Sequence, residues 1–207
     1  MLNEEEEEEG IKITLLGDSR VGKTCIISKY MSNTFENSDP TSGVDYFEKI
    51  IKIGKKEVQL KIWDTAGREK YRAIGKIYYK DVNVVCLIYD ITNQDSFVNL
   101  KNTWYSDFQE YGKKCNILAV VGNKCDLKEK ATVNENEARE FAKEKNAIFM
   151  LTPAQSGAGI NELFDTLAKN YLSLKFKSKV KEKKEEKTRP FILNNGKNDK
   201  CCQKGCC

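Results

Sequence analysis

From residue 10 onward, short apolar runs alternate with stretches in which apolar residues recur every three or four positions. That alternation predicts strands followed by helices, hence an α/β domain with a mostly parallel sheet. Residues 11–16 read as a first strand and residues 25–31 as the helix after it. Residues 46–53 and 56–63 flank Gly54-Lys55, a hairpin signal, so one strand pair is expected to be antiparallel. Residues 82–89 and 116–121 are nearly continuous apolar runs, as strands covered on both faces require. Between them Phe97, Leu100, Trp104, Phe108 and Tyr111 recur at helical spacing and are assigned to the core, with Gly112 suited to the C-cap. Asn134 and Glu137 have the spacing of a capping box, opening a helix to about Lys145. Residues 147–151 read as a last strand, and Ile160, Leu163, Phe164, Leu167 and Tyr171 mark the buried stripe of a closing helix. Beyond Leu174 the pattern dissolves into a Lys-rich segment without a core, and no internal repeat is visible. The expected architecture is a six-stranded, mostly parallel sheet with helices on both faces and its site at the carboxyl edge.

Composition adds the boundaries. The chain has 207 residues, enough for one domain of roughly 160 to 180 residues plus tails. Residues 4–9 are six consecutive glutamates, so residues 1–10 read as an acidic, solvated arm ahead of a domain at 11–174. Residues 175–207 carry eleven Lys or Arg against four acids, a net of +7 within a total of +4. That total is too small to suggest nucleic acid, and no apolar run approaches the roughly 18 residues needed to span a bilayer. No signal peptide is recognisable, so synthesis in the cytosol is expected. Cys25, Cys86, Cys115 and Cys125 lie in the body and are read as small apolar residues or bystanders in a reducing compartment. With no histidine in the sequence, His-based catalysis is excluded.

Three motifs carry the chemistry. Gly17-Asp18-Ser19-Arg20-Val21-Gly22-Lys23-Thr24 fits the phosphate-loop pattern, between a strand and a helix. Its glycines let backbone N–H groups turn inward around a phosphate, and the helix points its positive end there. Lys23 would neutralise the outer phosphates, and the Thr24 hydroxyl would ligate Mg²⁺. A chance glycine-rich turn is the competing reading, and the distant motifs count against it. Trp63-Asp64-Thr65-Ala66-Gly67 leaves the end of a strand. There Asp64 can hold Mg²⁺ through water, and the Gly67 N–H can reach a terminal phosphate. Asn123-Lys124-Cys125-Asp126 follows the apolar run 117–121. The Asp126 carboxylate can accept from the ring N–H and exocyclic amine that guanine presents together and adenine does not. Together the motifs make the nucleotide GTP or GDP.

Residues 11–174 resemble the small GTPases of the Ras superfamily, and within it the Rab family. The Rab-like stretches are Gly43-Val44-Asp45-Tyr46, Leu60-Lys61-Ile62-Trp63-Asp64-Thr65-Ala66-Gly67, Ile77-Tyr78-Tyr79 and Leu87-Ile88-Tyr89-Asp90-Ile91-Thr92. The resemblance implies that Thr41 is the switch threonine that meets Mg²⁺ and senses the γ-phosphate. It implies that Phe35 packs against guanine and that the Ala154 N–H meets guanine O6, with Thr152 and Pro153 beside it. Ser19, Arg20, Val21, Gly22, Lys23, Thr24 and Cys25 would surround the phosphates, and Lys124 would flank the base. Tyr46, Trp63 and Tyr78 would form the aromatic cluster that Rab effectors read. The implied activity is a GDP/GTP cycle that regulates vesicle traffic, with Lys23, Thr41, Gly67 and residue 68 at the reacting phosphate. The implied partners are an exchange factor, a GTPase-activating protein, Rab escort protein and GDP dissociation inhibitor, with the chain itself a monomer.

Four departures refine that expectation. Arg68 stands where the family usually has the glutamine that orients the attacking water, so slow hydrolysis is expected, and a GTP-locked membrane adaptor is the rival reading. The interval from Lys23 to Thr41 is one residue shorter than in a typical Rab, and Arg20 is bulky for a phosphate loop. Thr152-Pro153-Ala154-Gln155 replaces Thr-Ser-Ala-Lys, so somewhat weaker guanine binding is expected. The tail follows the family: Cys206-Cys207 resembles Rab tails carrying two geranylgeranyl groups, since Lys204 excludes the Cys-aliphatic-aliphatic-X pattern. Two lipids anchor where one binds only marginally, and the basic tail would add attraction to anionic lipid on the cytoplasmic face of an intracellular membrane. Phe191-Ile192-Leu193 resembles the hydrophobic element that escort proteins engage, a random apolar triplet being the alternative. Cys201 and Cys202 are candidates for palmitoylation, or for a zinc cluster with the terminal pair.

Overall fold

The computed structural model describes residues 10–33, 41, 43–67, 79–112, 115–153 and 156–188, with side chains to residue 178. Its sheet has six strands in the order β2-β3-β1-β4-β5-β6: β1 (Ile11–Leu16), β2 (Val44–Ile53), β3 (Lys56–Thr65), β4 (Val84–Asp90), β5 (Ile117–Asn123) and β6 (Ile148–Thr152). Among the described strands only β2 and β3 pair antiparallel, with Ile53 opposite Lys56. Gly54, at φ +62, supplies the left-handed step of the turn between them, which a side chain would resist.

The helices are α1 (Lys23–Ser32), α2 (Gln94–Asn99), α3 (Tyr105–Tyr111), α4 (Glu135–Glu144) and α5 (Ile160–Thr188). A π-helical turn, Leu100–Trp104, joins α2 to α3. The sequence pattern across residues 97–111 predicts one regular helix, and the structure corrects it. Phe97, Leu100 and Trp104 are buried, whereas Tyr111, assigned to the core, is 38% exposed.

Two cores lie on opposite faces of the sheet, and the strands divide between them by alternation. Ile11, Ile13 and Leu15 of β1, Val84, Cys86 and Ile88 of β4, and Ile117, Ala119 and Val121 of β5 share one core. There they meet Ile26, Ile27 and Tyr30 of α1 and Leu163, Phe164 and Leu167 of α5. Val85, Leu87 and Tyr89 of β4, with Val120 of β5, enter the other core with Phe97, Leu100, Trp104 and Phe141. Central strands therefore read as unbroken apolar runs because neither face meets water.

Two local expectations need correction. Asn134 does cap α4, its Oδ1 accepting from the Asn136 N–H at 2.9 Å. Glu137 does not complete a capping box, because its carboxylate takes the Lys101 ammonium at 2.6 Å instead. The closing helix also runs beyond its apolar stripe. Contacts divide the chain into a unit at Met1–Leu174 and a second at Lys175–Cys207, and residues 175–188 of the second are helical. Lys and Glu are good helix formers, and the first breaker in that composition is Pro190.

Candidate functional site

The carboxyl edge of the sheet gathers the ends of β1, β3, β5 and β6. Residues 17–24 leave β1 and enter α1. Gly17 is confined there: an added Cβ would sit 2.1 Å from the Ile88 carbonyl oxygen of β4. Arg20 holds a left-handed φ of +67, the region glycine prefers, with its side chain exposed. Gly22, at φ +95, stands at the head of α1, and an added Cβ would lie 2.3 Å from Nδ2 of Asn123.

Lys23 is 5% exposed, and its ammonium donates to the carbonyls of Gly17 at 2.8 Å and Asp18 at 2.9 Å. Burial pulls its pKa down to about 8, against the opposing charges of Asp64 and Asp18. The loop thus curls around an ammonium held by two neutral carbonyls, an arrangement that suits taking up a phosphate. Cys25, half-buried in the same helical turn, has its thiol pushed up chiefly by burial.

Beside Lys23 three oxygen-bearing side chains converge from three segments. Thr24 Oγ1 donates to Asp64 Oδ2 at 2.5 Å, Thr41 Oγ1 lies 2.9 Å from Thr24 Oγ1, and Thr41 Oγ1 is 3.5 Å from Asp64 Oδ2. Asp64 is fully buried, and its other oxygen, Oδ1, has no hydrogen-bond partner among the described residues. Burial raises the Asp64 pKa, opposed by the Thr24 hydrogen bond and the Lys23 charge. An orphaned buried carboxylate oxygen beside two hydroxyls is a hard donor set that suits Mg²⁺. Three residues after Asp64, Gly67 lies against the phosphate loop: an added Cβ would be 2.3 Å from Asp18 C and Ser19 N.

The loop after β5 is tied to the phosphate loop from the other side. Asn123 is fully buried, donates from Nδ2 to the Val21 carbonyl at 2.8 Å and accepts at Oδ1 from Thr152 Oγ1 at 3.3 Å. Lys124, at φ +63, pairs with Asp90 Oδ2 at 2.6 Å. Asp126 then opens the 3₁₀ segment Cys125–Lys130 with its side chain exposed. Pro153 follows Thr152 at the end of β6, its carbonyl accepting from the Gly157 N–H at 2.9 Å.

The profile of the Ras family matches residues 12–173. The chain is 34% identical over 195 residues to Ras-related protein Rab-26 of Rattus norvegicus, covering 93% of this chain and 74% of that protein. It is 40% identical to Ras-related protein Rab-17 of Mus musculus (78% of this chain, 75% of that one) and 41% identical to Ras-related protein Rab-21 of Geodia cydonium (78% and 70%). This chain belongs to the Ras family, as a Rab-family small GTPase. The six-stranded mixed sheet is the Ras-like P-loop GTPase fold expected from the alternation of elements.

Among the residues singled out for the Rab effector surface, Tyr46 and Trp63 face each other across β2 and β3 with ring centroids 4.9 Å apart, and Tyr46 is 47% exposed. Phe35, Arg68, Tyr78, Ala154, Gln155, Cys201, Cys202, Cys206 and Cys207 lie outside the described residues, as do residues 1–9 and the triplet at 191–193. Sequence reasoning missed two partners of the site. One is Asp90 beneath Lys124, which lies in an otherwise apolar strand and carried the signal of a buried charge needing a partner. The other is the side chain of Asp18, which receives Asn99 Nδ2 at 2.8 Å and Trp104 Nε1 at 2.7 Å. Those donors lie more than eighty positions away, and no local pattern announces them.

Proposed function

We propose that this Rab-family chain binds GDP and GTP and alternates between the two states at a cytosolic membrane face, regulating vesicle traffic through effectors. One observation carries the reading: Thr24, Thr41 and the orphaned Asp64 oxygen meet beside a buried lysine at the end of a glycine-bounded loop. Thr24, Thr41 and Asp64 would hold Mg²⁺, whose charge, when bound, neutralises phosphate oxygens. Lys23 binds the outer phosphates, with Ser19, Arg20, Val21, Gly22 and Cys25 lining the same turn. Thr41 and the Gly67 N–H close on a γ-phosphate and have nothing to hold in GDP, so the two nucleotides favour different arrangements. Asp126 reads guanine, with Asn123 and Lys124 setting its loop, and Phe35, Thr152, Pro153 and Ala154 completing the base pocket.

Hydrolysis is slow in this reading. Glutamine can accept from the attacking water and donate toward the γ-phosphate, whereas the Arg68 guanidinium has donors only. Single-turnover hydrolysis of GTP by the purified chain tests this: Arg68→Gln should raise the rate and leave nucleotide affinity nearly unchanged. A wild type faster than Arg68→Gln overturns the argument and makes Arg68 a built-in cationic stabiliser. The identity of residue 68 also supports the rival reading, a GTP-bound adaptor. That reading wins if neither the wild type nor a mixture with activating proteins turns over GTP.

For the membrane, we infer lipids on Cys206 and Cys207, supported by the basic stretch before them. Each cation close to an anionic surface adds up to about 1 kcal/mol. Among the described residues, no helix is long and apolar enough to cross a membrane. A Cys206→Ser, Cys207→Ser protein should move to the cytosolic fraction, and wild-type-like membrane recovery would remove the lipid assignment. An exchange factor, an activating protein, escort protein and dissociation inhibitor would then drive the cycle, with effectors reading Tyr46, Trp63 and Tyr78.

A further inference from the structure

We propose that Asp18 is a positioning residue for phosphate binding, and that the π-helical turn Leu100–Trp104 serves to bring two donors onto its carboxylate. Asp18 follows the first glycine of the phosphate loop. Its Oδ1 accepts from Trp104 Nε1 at 2.7 Å and its Oδ2 from Asn99 Nδ2 at 2.8 Å. Both carboxylate oxygens are therefore held, each by a donor from a different part of the α2–α3 segment.

Those donors are five positions apart. In a regular α-helix five residues turn through about 1.4 revolutions, so such side chains diverge by roughly 140° around the axis. A π-turn closes its bond between residues five apart, which brings that spacing onto one side. The bond is present here, from the Tyr105 N–H to the Leu100 carbonyl. The segment's entry is also fixed. The Asn93 side chain caps α2 by accepting from the Asp95 and Ser96 N–H groups, and Ser96 Oγ receives the Asp90 N–H at 3.0 Å. Trp104 itself is 3% exposed in the core beneath the segment, so its indole N–H is aimed by packing.

The backbone of Asp18 makes this matter for the site. Its carbonyl is one of the two oxygens that hold the Lys23 ammonium, at 2.9 Å. Its peptide is also the surface against which Gly67 lies, where an added Cβ would be 2.3 Å from Asp18 C and 2.4 Å from Asp18 O. One peptide unit thus supports the phosphate-facing cation and borders the glycine proposed to meet the γ-phosphate. Holding the Asp18 side chain at both oxygens holds that peptide, and with it the spacing between Lys23 and Gly67. The inference rests on the guanine-nucleotide reading of the loop given above.

The test is nucleotide release from full-length protein loaded with a fluorescent GDP, with thermal unfolding and the indole N–H resonances followed in parallel. Asp18→Ala removes both acceptors and should speed release about tenfold, the scale of one lost hydrogen bond to a charged group. Asp18→Asn can still accept from Trp104 but turns its amide N–H₂ toward Asn99, so it should recover part of the loss. Trp104→Phe keeps one aromatic ring but removes the donor together with part of the buried indole, so its thermal unfolding is read beside its release. It should speed release severalfold, and combining it with Asp18→Ala should add little, as shared partners require. The Trp104 indole proton, displaced downfield by a carboxylate acceptor, should move upfield in Asp18→Ala. Release rates like wild type in Asp18→Ala and Trp104→Phe, or effects that simply add, overturn the positioning role. So does a variant that loses thermal stability with no change in release. A wild type that binds no guanine nucleotide instead defeats the reading beneath it and removes this inference too.

Discussion

Replacing Asn123 by alanine should loosen residues 17–24 from the end of β5 at one point, and the structure sets the size of the effect. Asn123 is fully buried, and its Nδ2 is the hydrogen-bond donor given to the Val21 carbonyl, at 2.8 Å. Removing a buried partner exposes the asymmetry of hydrogen bonding: the Val21 oxygen is left in a dry site at a cost of about 1 to 3 kcal/mol. The Thr152 hydroxyl loses an acceptor at 3.3 Å, a longer contact worth at most about 1 kcal/mol. The total is about 1 to 4 kcal/mol. For a domain of this size that corresponds to a fall of roughly 2 to 16 °C in Tm. If the loss falls on the nucleotide-bound geometry instead, release accelerates by roughly 5- to 1000-fold. Thermal melts with and without GDP, together with release of a fluorescent GDP, separate the two. Thr152→Val is the internal control, since it loses only the weaker bond and should cost no more than about 1 kcal/mol. The reasoning fails if Asn123→Ala matches wild type in both measurements, or if Thr152→Val costs as much as Asn123→Ala.

Three further outcomes are expected. Gly67→Ala would place a methyl within 2.4 Å of three backbone atoms of residues 18 and 19, so the β3 exit or the phosphate loop must move. GTP affinity should then fall more than GDP affinity, as paired titrations would read. Asp126→Asn should shift preference from guanine toward xanthine nucleotides in competition binding, and full retention of guanine selectivity would remove Asp126 as the base reader. Burial pushes the Cys115 thiol from 9.0 up to about 11, so the folded state keeps a proton there that the unfolded chain gives up. Its contribution to stability is complete below pH 9 and is lost as pH rises toward 11. Denaturation midpoints across that window should fall less in Cys115→Ala than in wild type.

Much of this molecule is legible in its residue order because the information is local. The strands β4 and β5 announce themselves as nearly continuous apolar runs since each buries both faces, and Gly54-Lys55 marks the hairpin that makes β2 antiparallel. The three motifs proposed to bind nucleotide are short segments at strand ends, so their spacing is visible in the residue order. That Thr24, Thr41 and Asp64 meet is a different kind of fact. It depends on the order β2-β3-β1, which sets the exits of β1 and β3 side by side and brings Thr41 to them. The choice of Glu137 for Lys101 over its own helix end was likewise made in three dimensions, by a cation 36 positions away. The π-turn is the clearest case. Apolar spacing from Phe97 to Tyr111 suits a regular helix, and only the packed molecule, with Asp18 in reach of Asn99 and Trp104, selects the wider turn. Periodicity records which face of an element is buried, whereas the partner that a polar group finds is decided by which other elements the fold brings beside it.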